Sequence, residues 1–130
     1  MTTEHIASKQ DVLAAVEPFS RCTRLQIAQL AQLAREELIP PGGVLTSQHD
    51  PDLTVYVIAS GEVDVVVDGA RVATLGAGEI VGERAMLGDG RRSATVTAAT
   101  AVRAIVLDPR DVDDALAAVP TAARQRPDHA

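Results

Sequence analysis

The change of period at Pro40-Pro41-Gly42-Gly43 constrains this chain more than any other feature. Before it, apolar residues recur at helical spacing. From Asp11 to about Leu38 the pattern predicts two helices. Asp11 is placed to cap a short one through Val12, Ala15 and Val16 that stops near Pro18, and Thr23 to cap a second with Ile27, Leu30, Ala31 and Ala34 on one face. After PPGG the period becomes two. Leu53 to Ala59 is rich in β-branched residues, Ser60-Gly61 marks a turn, and Val63, Val65 and Val67 alternate along a strand. Asp68-Gly69 is a strong hairpin signal, with Val72 to Leu75 returning along the first strand. Ala94, Val96 and Ala98 alternate again, and Val102 to Leu107 supplies a further strand. Short strands with frequent turn signals predict a sandwich or a small barrel. A closing helix follows, with Asp108 as cap, Pro109 at its first position, and Val112, Ala115, Leu116 and Val119 on one face before Pro120.

At 130 residues this is one domain with a genuine core. The expected division is a tail over 1–10 and a domain over 11–120, helical over 11–38, a β-barrel over 44–107 and a C-terminal helix over 109–119. A flexible tail follows over 121–130. Aromatics are 2% of the residues, so Val, Ile, Leu and Ala must build the core, and platforms for stacking single-stranded bases are hard to assemble. The formal net charge of -6 also argues against nucleic acid as a partner. No apolar run approaches the roughly 18 residues of a membrane span, so no membrane partner is expected. One cysteine, Cys22, and the lack of a leader-like N-terminus lead to the expectation of a cytoplasmic protein. Cys22 itself reads as a small, partly buried side chain rather than a reactive thiol.

Residues 81–96, VGERAMLGDGRRSATV, interrupt the strands with one helical turn at most. Glycines at 76, 78 and 82 permit tight bends, and a short helix from Glu83 to Leu87 would present unpaired amides at its start. Such an end attracts a phosphate, and an arginine opposite adds charge-assisted contacts. A carboxylate beside it suits a sugar hydroxyl, so the loop fits a compact ligand that carries both groups.

With these residues the chain resembles the cyclic nucleotide-binding domains of the catabolite activator protein and protein kinase A regulatory subunit family, from about Phe19 to Pro120. The family's phosphate-binding cassette is matched by Val81-Gly82-Glu83-Arg84-Ala85-Met86-Leu87 and then by Arg92-Ser93-Ala94. The run LIPPGGVLTSQHDPDLTVYVIASGEVDVVVDG fits its first strands. The resemblance implies a mainly β, double-stranded β-helix (jelly-roll) barrel with flanking N-terminal and C-terminal α-helices. It implies a non-catalytic sensor module that binds cAMP, with cGMP second, and uses no cofactor and no metal. Glu83 would accept the ribose 2′-hydroxyl and Arg92 would pair with the cyclic phosphate. Gly82 would allow close approach, the amides of Ala85 and Ala94 would face phosphate oxygens, and Ser93 would contact the phosphate or a guanine amino group. Arg91 would be left to solvent.

The match has departures. Val81 replaces an aromatic residue, His49 stands where the family has glycine, and Arg84 replaces an apolar residue in the cassette. Arg84 either faces solvent or pairs with Glu83 and competes with the ribose. The polar residues after Pro120 do not supply the family's lid helix, so an effector protein or a second copy in a homodimer would be needed to cover the base. Losing a stacking lid costs about 1 to 3 kcal/mol. Other readings stand beside this one. Glu83 and Arg92 would form a structural ion pair in a domain that had lost its ligand, leaving a nucleotide-independent protein-docking scaffold of the same fold. Asp111, Asp113 and Asp114 read as a solvated helix face, and scattered His5, His49 and His129 do not make a metal set. Neither a nucleophile with a base nor a second cassette acid supports an enzyme.

Overall fold

A computed structural model describes residues 8–17, 19–82 and 92–117. Helix α1 spans Lys9–Ala14 and α2 spans Arg24–Leu33, with a 3-10 turn at Phe19–Arg21 between them. Eight strands follow: β1 (Arg35–Ile39), β2 (Val44–Thr46), β3 (Val55–Ser60), β4 (Val63–Val67), β5 (Ala70–Leu75), β6 (Ile80–Val81), β7 (Thr95–Ala98) and β8 (Val102–Leu107). Helix α3 covers Pro109–Ala117. The strands form two antiparallel four-stranded sheets, ordered β1-β8-β3-β6 and β2-β7-β4-β5. The fold is thus mainly β, with two facing sheets and flanking helices, as the jelly-roll expectation requires, although among the described residues the sheets do not join into a closed barrel.

The capping residues explain where the helices begin. Thr23 caps α2 in a reciprocal capping box: the Gln26 amide donates to Thr23 Oγ1 at 3.1 Å and the Thr23 amide donates to Gln26 Oε1 at 2.7 Å. Helix α1 starts earlier than expected, because Ser8 rather than Asp11 is its cap and accepts from the Asp11 amide. At the other end, Asp108 Oδ1 accepts from the Arg110 amide at 2.8 Å, and Pro109 opens α3.

Helical structure does not reach Leu38. The apolar stripe of α2 ends at Ala34, whose backbone is extended, and Arg35 to Ile39 pair instead with β8, from Arg35 opposite Val106 to Ile39 opposite Val102. The residues REELI have ordinary helix propensity, and tertiary pairing overrides it.

Two apolar layers lie on opposite faces of the first sheet. Leu13, Phe19, Ile27 and Leu30 pack from the helices onto Val55, Val57, Ile105 and Leu107. Ile58, Val63, Val96, Ala104 and Val106 fill the space between the sheets. Strands β3 and β8 are therefore buried on both faces, which accounts for their nearly unbroken apolar sequences. Cys22 is half-buried among the helices, where burial raises its thiol pKa. No helix among the described residues is long and apolar enough to cross a membrane.

Candidate functional site

Arg92 lies just before β7. Its side chain is only 4% exposed. The guanidinium Nη2 donates to the Thr54 carbonyl, while Nε and Nη1 are buried and find no hydrogen-bond acceptor among the described residues. A buried charge with two idle donors is costly unless something negative meets it.

The surrounding chain fixes this guanidinium from several sides. The Arg92 amide donates to the Asp50 carbonyl at 2.9 Å, and the His49 amide donates to the Arg92 carbonyl at 2.8 Å. Asp52 Oδ1 accepts from both the amide and the hydroxyl of Thr54, at 2.9 and 2.8 Å, which fixes the residue whose carbonyl holds Nη2. Those bonds, first the backbone one and then that of the hydroxyl, hold the Asp52 carboxyl below its ordinary pKa, and the positive charge of Arg92 adds to the shift. Gly82 closes the other side. With φ at +99° it takes a backbone that side chains rarely adopt, and a Cβ there would run into Arg92 Nη1 and lie 2.6 Å from the Thr54 carbonyl oxygen.

Arg92, Ser93, Ala94 and Gly82 line one open cleft of about 920 Å³, within the roughly 300–1,000 Å³ usual for small-molecule sites. Its far wall is aliphatic, formed by Val65 and Val67 of β4 and Val72, Ala73 and Leu75 of β5. The register of this hairpin explains Val72: Val65 pairs with Ala73 and Val66 with Arg71, so Val72 is the extra residue of a bulge. The bulge turns Val72 toward the cleft, and it stays 61% exposed. The cleft thus offers a cationic anchor at one end and an apolar wall at the other, the arrangement for an amphipathic anion.

Of the residues singled out from the sequence, the structure brings Gly82, Arg92, Ser93 and Ala94 together. Ser93 is exposed, and the carbonyl of half-buried Ala94 accepts from the Thr46 hydroxyl at 3.0 Å. Glu83, Arg84, Ala85 and Arg91 lie outside the described residues. Thr54, Asp52 and Asp50, which nothing in the sequence marks as site residues, build the arginine's seat together with His49. One signal was available: His49 stands where the resemblance has glycine, and its φ is +73°, a conformation that glycine adopts freely. Asp111 is half-buried, whereas Asp113 and Asp114 are exposed along α3. Among the described residues no three His, Cys, Asp or Glu side chains converge to hold a metal.

Fold and cleft define a two-sheet β-domain with a buried arginine beside an open cleft. A family model described as the cyclic nucleotide-binding domain matches residues 36–118. The chain belongs to the cyclic nucleotide-binding domain family. It is 41% identical over 112 residues to the acetyltransferase Pat of Mycolicibacterium smegmatis, a match that covers 83% of this chain and 33% of that protein. Among solved structures, the regulatory subunit of a cAMP-independent protein kinase A from Trypanosoma brucei superposes with a TM-score of 0.78 at 26% identity, over 89% of this chain and 44% of that one. The regulatory domain of Toxoplasma gondii protein kinase A, solved with cAMP, superposes with a TM-score of 0.77 at 19% identity, over 85% of this chain and 45% of that one; this likeness concerns the fold. The chain spans about a third of the acetyltransferase and under half of each regulatory chain.

Proposed function

We propose that this chain is a non-catalytic sensor module that binds cAMP, with cGMP as the second ligand. One observation carries the reading: a buried guanidinium with two donors unmatched among the described residues lines a cleft that also has an aliphatic wall. The cyclic phosphate sits on Arg92, with Gly82 allowing close approach and the Ala85 and Ala94 amides completing the phosphate seat. Glu83 takes the ribose 2′-hydroxyl, and the purine lies toward Val65, Val67 and Val72. The Toxoplasma regulatory domain, which shares the fold, is itself solved with cAMP.

A second reading has its own support, since the Trypanosoma regulatory subunit of the same fold belongs to a protein kinase A described as cAMP-independent. On that reading the two-sheet domain is a docking scaffold that an effector protein or a second copy recognises without nucleotide. Thermal melting with millimolar cAMP, cGMP and 5′-AMP separates the two. A module that binds at one site gains stability as RT ln(1 + [L]/Kd), so cAMP raises Tm and 5′-AMP does so less. A folded sample whose Tm moves with none of the three is the scaffold. Recovery of intact cAMP after long incubation is expected of a module that performs no chemistry.

A further inference from the structure

We infer that Gln48 is a positioning residue that sets the span between Arg92 and the aliphatic wall of the cleft. The inference rests on the cyclic-nucleotide reading for its effect on affinity and on geometry alone for the strut itself.

The segment from Thr46 to Asp50 runs beside Arg92 to Thr95 and is fastened to it at successive points. Thr46 Oγ1 donates to the Ala94 carbonyl at 3.0 Å, and the Gln48 amide donates to Thr95 Oγ1 at 2.9 Å. The His49 and Asp50 backbones take both polar groups of the Arg92 backbone. From this zipper the Gln48 side chain reaches away to the β4–β5 turn. Its Nε2 donates to Asp68 Oδ1 at 3.0 Å, and its Oε1 accepts from the Asp68 amide at 2.9 Å. Asp68 is the first residue of a turn with φ of +50° at Asp68 and +82° at Gly69, and it directly follows Val67 of the wall. One primary amide therefore joins the backbone of the arginine's segment to the tip of the hairpin that forms the opposite wall.

The bonding is complementary: an amide offers one donor and one acceptor to a carboxylate and an amide N–H. A carboxylate at position 48 would keep the acceptor but lose the donor, and would face Asp68 charge against charge. A ligand that must touch both the guanidinium and the wall then meets a looser span. Gln48 acts through Arg92 and Val67 and touches no ligand.

The test compares the intact chain with Gln48→Glu and with the double variant Gln48→Glu/Asp68→Asn, which reverses donor and acceptor and keeps the pair's net charge. Amide hydrogen exchange is read at Arg92 and His49, with buried β3 amides as the control for global stability. Gln48→Glu is expected to speed exchange at Arg92 and His49 about tenfold with β3 unchanged, and the double variant to restore it. Calorimetric affinity for cAMP is expected to fall about tenfold in the single variant and to return in the double. Unchanged exchange at Arg92 in Gln48→Glu, acceleration shared equally by β3, or no recovery in the double variant overturns the strut. If the intact chain binds neither cAMP nor cGMP, the ligand reading falls, while exchange still decides the role of Gln48.

Discussion

Arg92 and Gly82 are a coupled pair, because the glycine leaves the space that the guanidinium fills. Replacing Arg92 by Ala removes charge-assisted contacts to an anion and is expected to lower cyclic-nucleotide affinity by about 1.5 to 3 kcal/mol. Gly82→Ala is expected to do harm of a different kind. Its methyl group must displace the guanidinium or the Thr54 carbonyl at a backbone angle unfavourable for alanine, so stability falls by about 1–3 kcal/mol and affinity falls with it. Chemical denaturation with and without cAMP checks both: Arg92→Ala should weaken the ligand's stabilising effect, whereas Gly82→Ala should lower stability even without ligand. Equal stability of Gly82→Ala and the parent would contradict the packing described. The family resemblance carried by Gly82, Arg92 and Ser93-Ala94 picked out in the sequence residues that the structure brings to one cleft. The seat beneath it was not legible, since the Thr54 carbonyl and the His49-Asp50 backbone contribute no side-chain signature of their own.

At the level of elements, the helical layer is the part whose removal should cost most. Phe19 is the chain's one phenylalanine and is fully buried where the 3-10 turn meets α1, α2 and the first sheet. Phe19→Ala is expected to destabilise by about 3–5 kcal/mol, and Thr23→Ala, which undoes the capping box, by about 1 kcal/mol. Urea denaturation measures both, and a Phe19→Ala loss below that of Thr23→Ala would contradict the two-layer core. Elements with strong periodicity or turn chemistry were readable: the buried face of α2, the Asp68-Gly69 hairpin, β8 and the start of α3. Those defined by distant partners were not. Strand β1 is helix-compatible until it meets β8, and β6 is a two-residue pairing, with Ile80 opposite Val57 and Val81 opposite Tyr56, that leaves no period to count.

For the molecule as a whole, carboxylates tied down in the fold contribute to stability toward acid. Arg103 bridges β8 to β1, its Nε donating to Glu36 Oε2 at 2.5 Å and its Nη2 to Oε1 at 3.0 Å. These hydrogen bonds, followed by the charges of Arg103 and Lys9, hold the Glu36 carboxyl below its ordinary value of 4.5. A carboxyl depressed in the folded state binds protons more readily once unfolded, so its stabilising share is present above the ordinary value and is lost as pH falls through the folded one. Glu36→Gln is therefore expected to give a shallower fall in stability as pH drops below the ordinary value of 4.5. Because Glu36 is 39% exposed, the effect should be modest, and an unchanged slope would show that the bridge carries no pH-dependent stability. The central claim is tested most directly by one calorimetric titration of cAMP, run in parallel on the parent chain and on Arg92→Ala. The account predicts saturable binding to the parent and an affinity about ten- to a hundredfold lower in the variant; identical isotherms, or no heat of binding from a folded parent, would contradict it.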